Sequence, residues 1–322
     1  MTKLSTRLVF VSLLLLFAAT LWWLQPWRRI GYSEWHLPAK TDIPVAVSVG
    51  ADGSTWVSLD LSNAVVRIRG GDMTRFDKGK TSVDPLGIAA APDGGAWFTD
   101  APQLNVSFID AAGKITRYPL DTPIARLGRL LLAPDGAVWF TEASAYSVTR
   151  LKDGKLDRHT VDALRGGPYG VALAPNGDIW ATLQSGNQLM RVSGAGAIDL
   201  FDIPSRGSSP TDIAVGGDGA VWFLQFRGNK LGRFLGGKFD EFDVPLAAPG
   251  LSGITIAPDG SVWFGLLRHH RLARWRAGKV ELFELPRDQA RPFSLAADAA
   301  GNIWYADISG YVGYLAARHA QR

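Results

Sequence analysis

The sequence predicts an all-β fold, a seven-bladed β-propeller of four-stranded blades, preceded by one N-terminal transmembrane helix. Three observations lead to this prediction: seven tryptophans at a nearly constant spacing, a shared phrase around each of them, and an uncharged apolar run near the N-terminus. A period of about 40 residues with four short strands per unit is typical of propellers. We therefore divide the chain into residues 1–30, a short N-terminus with the anchor, and residues 31–322, the propeller.

The membrane anchor is predicted at residues 8–27. This stretch of 20 residues contains no charged side chain, and as a helix it is about as long as the hydrocarbon core of a bilayer is thick. Tryptophans near its end suit the headgroup boundary. The alternative is a cleaved signal peptide with its processing site at residues 18–20, which would make the propeller a secreted protein.

The charge balance argues against a nucleic-acid partner. The chain has 34 basic and 30 acidic residues, and Lys3, Arg7, Arg28 and Arg29 are the charged residues among the first thirty. The remainder therefore has equal numbers of acidic and basic residues and lacks the positive field that phosphate binding requires. The chain contains no cysteine, which excludes disulfides, thiolate metal sites and a cysteine nucleophile.

The repeat is marked by tryptophans that are 41 or 42 residues apart, namely Trp56, Trp97, Trp139, Trp180, Trp222, Trp263 and Trp304. Phrases such as GIAAAPDGGAWFTD and GITIAPDGSVWFGL contain an apolar strand, a turn and the tryptophan strand. We expect the tryptophans to fill the space between neighbouring blades. The outer strand is missing after Trp304, and the matching phrase at residues 32–38 is predicted to complete the last blade and close the ring.

The turns set the expected register of each blade. Asp-Gly pairs such as Asp93-Gly94 are predicted to form tight hairpin turns with positive φ values. That register places Asp100 across from Gly87 and beside Leu86, at one mouth of the central channel. The predicted ligand-binding residues at this mouth are Tyr169, Phe293, Ser252, Thr211, Asp212, Arg129, Arg291 and Asp100.

The phrases PxGI, PDGxxWFTE and NxIxRI make residues 32 to 315 resemble the virginiamycin B lyase, or streptogramin B lyase, family. The resemblance implies a seven-bladed propeller and a Mg²⁺-dependent elimination that opens a cyclic depsipeptide at its ester. Its histidines correspond to Phe293 and Ser252 here, and a glutamate corresponds to Arg291. The later acidic residue is shifted by one place, to Asp307. No cofactor is predicted from the residues themselves; Mg²⁺ is implied by the resemblance alone.

The leading functional hypothesis is a binding module with a degraded lyase site, which takes a small-molecule ligand or an envelope protein at the mouth. The alternative is an active carbon–oxygen lyase that uses a rearranged carboxylate set, with Asp307 and Glu142 as candidates. Asp100, Glu142 and Asp307 are also considered as a cation site, but rim charges paired with Arg126, Arg129 and Arg291 are favoured. No metal site is predicted, and His269-His270 is read as a surface loop. The anchor and the resemblance place the protein in the cytoplasmic (inner) membrane, single-pass, with the propeller facing the periplasm or the exterior.

Overall fold

A computed structural model describes residues 31–81, 83–122 and 126–320. These residues form seven antiparallel sheets of four strands, with three single-turn 3₁₀ helices and one short α-helix. The predicted anchor at residues 8–27 lies outside the described residues. Within the described residues, no helix is long and apolar enough to span a bilayer.

Each of blades 1 to 6 consists of four strands that are consecutive in the chain. Blades 1 and 2 comprise β2 (Ile43–Val49), β3 (Thr55–Asp60), β4 (Ala64–Arg69) and β5 (Asp72–Asp77), then β6 (Ile88–Ala90), β7 (Ala96–Asp100), β8 (Asn105–Ile109) and β9 (Ile115–Pro119). Blades 3 and 4 comprise β10 (Leu127–Leu132), β11 (Val138–Glu142), β12 (Ser147–Lys152) and β13 (Lys155–Thr160), then β14 (Pro168–Leu173), β15 (Ile179–Leu183), β16 (Gln188–Val192) and β17 (Ile198–Asp202). Blades 5 and 6 comprise β18 (Pro210–Val215), β19 (Val221–Gln225), β20 (Lys230–Leu235) and β21 (Lys238–Asp243), then β22 (Leu251–Ile256), β23 (Val262–Leu266), β24 (Arg271–Arg276) and β25 (Lys279–Glu284).

The seventh blade joins the two ends of the propeller, as the sequence predicts. It is built from β26 (Pro292–Ala297), β27 (Ile303–Asp307), β28 (Tyr311–Leu315) and, as its outer strand, β1 (Tyr32–His36). Side chains also hold β1 to the rest of the blade. Glu34 on β1 accepts hydrogen bonds from the Tyr305 hydroxyl at 2.9 Å and from Arg287 Nε at 3.0 Å. This pairing removes the open sheet edge that an unclosed ring would expose. Helix α1 (Ala317–Ala320) follows β28.

The turn between the first two strands of a blade is longer than predicted. In blade 2, Gly94 has φ +83°, whereas Asp93 keeps a negative φ and its side chain accepts the Gly95 N–H at 3.0 Å. The turn therefore pairs Ala91 with Gly95, and Gly87 accepts a hydrogen bond from the Thr99 N–H at 3.0 Å. The predicted register of Asp100 across from Gly87 is wrong by one residue. In strands, a shift of one residue turns a side chain to the other face.

Each repeat tryptophan packs against an aromatic ring of the fourth strand in its own blade. The pairs are Trp56–Phe76, Trp97–Tyr118, Trp139–His159, Trp180–Phe201, Trp222–Phe242, Trp263–Phe283 and Trp304–Trp35. The same tryptophans contact the next blade: Trp56 packs with Ile88 and Phe98, and Trp222 packs with Phe264. The prediction that the tryptophans fill the space between blades is confirmed. The aromatic pairs within each blade stabilise the fold by about 0.5–1.5 kcal/mol each beyond the effect of the area that they bury.

Candidate functional site

Two adjoining cavities open on one face of the propeller, which we call the mouth face. It carries the turns between the second and third strands of each blade and the connections from one blade to the next. The smaller cavity has a volume of about 150 Å³ and the larger about 790 Å³. Tyr169, Gln184 and Phe293 line both, so the two cavities form one continuous recess over the central channel.

Six of the eight predicted mouth residues line the smaller cavity. They are Arg129, Tyr169, Thr211, Asp212, Ser252 and Phe293, all at the starts of inner strands. The other two, Asp100 and Arg291, line neither cavity. The inner-strand positions were therefore predicted in the right place, whereas the position on the second strand was not.

An ion pair across the channel forms the floor of the recess. Arg129 of blade 3 reaches Asp212 of blade 5 through two parallel hydrogen bonds, Nε to Oδ1 at 3.1 Å and NH2 to Oδ2 at 2.8 Å. Its NH1 group donates to the carbonyls of Leu86 at 3.0 Å and Val45 at 3.4 Å, so one guanidinium joins four blades. Burial would lower the pKa of Arg129, but Asp212 raises it, and the pKa ends above its ordinary value. Arg129 and Asp212 neutralise each other, so this pair, which we call the plug, presents no free charge to a ligand.

Aromatic rings and a hydroxyl surround this plug. The Arg129 guanidinium lies 5.8 Å from the ring centre of Tyr169 and 5.6 Å from that of Phe293, within the range of cation–π attraction. Burial raises the pKa of the Tyr169 hydroxyl, so it remains protonated at neutral pH. The Ser252 hydroxyl donates to the Pro292 carbonyl at 2.5 Å and ties blade 6 to blade 7. None of these groups is a base at neutral pH.

Glu142 points away from the recess. Its side chain is fully buried within blade 3, where it accepts hydrogen bonds from Thr149 Oγ1 at 2.5 Å and from Arg158 Nε at 2.8 Å. Arg158 also contacts Asp121 at 2.5 Å. The carboxylate is therefore a structural partner of the outer strands, and it has no free face toward the mouth.

Asp307 and Asp100 are also buried, and each lies near a basic side chain. Asp307 is fully buried, pairs with Arg287, and accepts the Ser309 hydroxyl at 2.7 Å and the Arg291 N–H at 2.9 Å. Asp100 is buried near Lys78, whose pKa is lowered by burial and raised in part by Asp100.

The three carboxylates do not fit a magnesium site, because they lie in different blades and each faces a cation. Glu142 faces Arg158, Asp307 faces Arg287 and Asp100 faces Lys78. In the described part of the chain, no three His, Asp or Glu side chains are grouped closely enough to hold a metal ion. The arrangement gives no support to a step through Mg²⁺.

Residues that directly follow the second strands also face the recess, and they were not predicted from the sequence. Gln184, Phe226 and Leu267 each follow the blade tryptophan by four positions and line the smaller cavity. Ala101 and Ala143 occupy the same position in blades 2 and 3 and line the larger one. Asp100 and its equivalents follow the tryptophan by three positions. With the register corrected by one residue, the repeat itself would have identified this set.

The histidines and the groove on the opposite face do not extend the site. His269 contacts the Ala247 carbonyl at 3.0 Å and His270 the Ala290 carbonyl at 2.7 Å, so the two rings are held by different connections.

A groove of about 700 Å³ between blades 3 and 4 opens on the face opposite the mouth. Asp135 in this groove pairs with Arg150 at 2.9 Å and also with Lys152 at 3.0 Å.

Comparison with known proteins confirms the resemblance predicted from the repeat phrases. The profile described as the Virginiamycin B lyase family matches residues 31–128 and 71–320. A virginiamycin B lyase of Nocardia farcinica is 32% identical over 189 residues, which are 59% of this chain and 65% of that enzyme; the match thus spans less than two thirds of its length.

Two solved structures resemble the whole propeller. One is a catalytically inactive virginiamycin B lyase from Staphylococcus aureus with quinupristin, with a TM-score of 0.83 and 25% identity, covering 88% of this chain and 98% of that one. The other is a streptogramin B lyase, with a TM-score of 0.84 and 22% identity, covering 88% of this chain and 96% of that one. The second shows the fold alone.

Proposed function

The chain belongs to the virginiamycin B lyase family, and from this premise we propose that it is a binding module whose ligand occupies the recess on the mouth face. The observation that carries the proposal is Phe293. It stands where the family resemblance implies a histidine, and it packs with Tyr169 around the Arg129–Asp212 pair. An elimination needs a base and a group that holds the developing anion. The recess instead offers aromatic rings and a neutralised ion pair, which suit recognition.

The second candidate function is an active carbon–oxygen lyase with a rearranged carboxylate set. It requires Asp307 or Glu142 to face a substrate. Their buried pairs with Arg287 and Arg158 weigh against this, because freeing either carboxylate would break a buried ion pair and its hydrogen bonds.

We also propose that the propeller is tethered to the cytoplasmic membrane by residues 8–27 and faces the periplasm or exterior. Strand β1 starts at Tyr32 on the face opposite the mouth, where the Gly31 carbonyl accepts the Ala316 N–H at 2.8 Å. An anchor that ends at residue 27 would therefore leave the opposite face toward the bilayer. The mouth face would point away from the membrane, where a soluble ligand or an envelope protein can reach it.

A lyase assay tests the proposal. The full chain in detergent micelles is incubated with quinupristin and Mg²⁺, and ring opening is followed by liquid chromatography with fragment-ion mass spectrometry. The expected result is no ring opening above the protein-free control, with the staphylococcal enzyme as positive control. Turnover that is lost in Asp307→Asn or Glu142→Gln variants that remain folded would overturn the binding-module proposal and favour the rearranged lyase.

A further inference from the structure

An arc of exposed arginines surrounds the recess on the mouth face. It runs from blade 3 to blade 7 and comprises Arg126, Arg165, Arg206, Arg227, Arg268 and Arg291. We call this set the arginine arc. Arg126 lines the larger cavity, and Arg227 and Arg268 directly follow Phe226 and Leu267, which line the smaller one. The arc is therefore part of the same surface as the recess.

The arc arginines have no partners among the residues that the structure describes. None of their side chains makes an ion pair, a hydrogen bond or a ring contact there, and every one is exposed. In the mouth-face connections between residues 126 and 291, the acidic residues are Asp162 and Asp288, and Asp162 accepts the Leu164 N–H at 2.8 Å. Asp202, Asp243 and Glu284 are exposed at the mouth-face ends of the outer strands, and Glu284 pairs with Arg271. The six arc arginines still outnumber the other carboxylates, so this sector carries a net positive charge, although residues 31–322 are balanced overall.

Exposed apolar side chains are concentrated on the same face. Six large hydrophobic residues are exposed in the described chain, and five of them, Leu61, Val83, Tyr146, Leu164 and Phe226, lie in mouth-face connections. Leu164, which precedes Arg165, is 90% exposed. Leu164-Arg165 in the connection to blade 4, and Phe226-Arg227 and the half-buried Leu267-Arg268 in the turns of blades 5 and 6, each place an apolar side chain before an arginine. Exposed apolar groups beside unpaired charges are typical of interaction surfaces.

Resting on the function proposed above, we propose that the arginine arc and the recess bind an acidic polypeptide segment of a partner, in which carboxylates alternate with aromatic or aliphatic side chains. The carboxylates meet the arginines in two-pronged hydrogen bonds, and the apolar side chains enter the recess between Tyr169, Phe226 and Phe293. The mouth-face connections between residues 126 and 291 contain arginine but no lysine, and a planar guanidinium can hold a carboxylate in two parallel hydrogen bonds. Arginine and aromatic residues dominate the energetics of protein interfaces.

Two other anionic occupants fit the surface less well. An anionic bilayer is disfavoured, because the predicted anchor would join the propeller at the face opposite the arc. The arc would then point away from the membrane. An acidic polysaccharide would use the charge but not the side chains of Leu164 and Phe226, which the proposed peptide covers. Both occupants are included as outcomes of the test.

The test uses the full chain in detergent micelles and a short fluorescein-labelled peptide in which Asp or Glu alternates with Phe or Leu. The arc variant is Arg165→Ser/Arg227→Ser/Arg268→Ser. The matched control, Arg69→Ser/Lys238→Ser/Arg276→Ser, removes the same charge from the opposite face. We expect the control to bind like the original protein and the arc variant to bind about tenfold more weakly, because rim charges contribute little singly and more together. Added salt should weaken binding to the original protein more than to the arc variant.

The following results would overturn the proposal: absence of peptide binding, equal binding by the arc variant, or equal binding of a peptide with Gln and Asn in place of Glu and Asp. Arc-dependent binding of uronic-acid oligosaccharides or phosphatidylglycerol vesicles without peptide binding would assign the surface to those ligands instead. Quinupristin turnover together with peptide binding would contradict the binding-module function but leave this partner class in place. Failure of peptide binding without turnover would contradict the partner class alone.

Discussion

The outer strands and the mouth face use arginine in opposite ways. On the third strands, Arg150, Arg233 and Arg274 each lie over the tryptophan of their blade, with Arg274 5.3 Å from the Trp263 ring centre. Each also pairs with a carboxylate, as Arg233 does with Asp240 at 2.6 Å. The arginines of the arc have neither ring nor carboxylate beside them in the described structure. One residue type therefore serves the fold in one region and remains available for a ligand in the other.

This difference separates arginines that stabilise the fold from arginines that do not. A paired and stacked arginine replaces water with specific protein contacts, and its removal leaves a partner behind. An unpaired, exposed arginine contributes little to stability, so its presence in several blades at one face indicates a use outside the fold. Residue counts conceal the difference, because the chain is electrically balanced after its first thirty residues.

The connection between blades 6 and 7 contains one arginine of each kind and gives the largest expected contrast. Arg287 pairs with Glu34 and Asp307 and lies over the Tyr311 ring, whereas Arg291 is exposed. We expect Arg287→Ala to lower the free energy of unfolding by about 3 kcal/mol, because two carboxylates lose their shared cation at the ring closure. Arg291→Ala should change it by less than about 0.5 kcal/mol. Urea denaturation of both variants measures the two values; similar values would remove the distinction.

The Arg129–Asp212 plug sharpens the comparison, because it lies in the recess of the mouth face but is paired and buried like the structural arginines. Arg129→Met leaves Asp212 unpaired in a buried position, and we expect a loss of about 2–3 kcal/mol of unfolding free energy. The double variant Arg129→Met/Asp212→Leu removes both charges and should recover much of that loss. Additive losses in the double-mutant cycle would show that the pair acts as two independent groups and not as one plug.

A smaller effect is expected at acid pH on the opposite face. Hydrogen bonding from the Ala137 N–H, together with Lys152 and Arg150, lowers the pKa of Asp135 to about 2. Because the folded pKa lies below the unfolded value, the stabilisation is present above about pH 3.8 and is lost as the pH falls toward 2. Solvent screening limits the effect to less than about 1 kcal/mol. Asp135→Asn should flatten the pH dependence of the unfolding midpoint in this range; an unchanged slope would contradict the assignment.

The fold was predictable because the tryptophan period counts blades directly, and the isolated phrase at residues 32–38 indicates how the ring closes. The site was predictable on the inner strands, where six residues line the recess. It was not predictable on the second strands, because Asp93 stays in a four-residue turn with one left-handed glycine, Gly94. That turn shifts Asp100, Glu142 and Asp307 from the recess into the blades, toward the cations that they face.

The arginine arc could have been recognised from the sequence only after each connection had been assigned to a face. The antiparallel order makes that assignment possible, since blade-to-blade connections and second-to-third-strand turns share one face. The absence of partners could not have been inferred, because it depends on the side-chain contacts of six different connections.

The most direct test of the two uses of arginine is the urea midpoint of the triple variant Arg165→Ser/Arg227→Ser/Arg268→Ser. The control Arg69→Ser/Lys238→Ser/Arg276→Ser is measured in parallel; it loses two weak ion pairs, at 3.6 Å and 3.7 Å. We predict a midpoint for the arc variant that is at least as high as the control's, together with weakened peptide binding. A midpoint well below the control's, with peptide binding unchanged, would contradict the account, because the arc would then serve the fold and not a ligand.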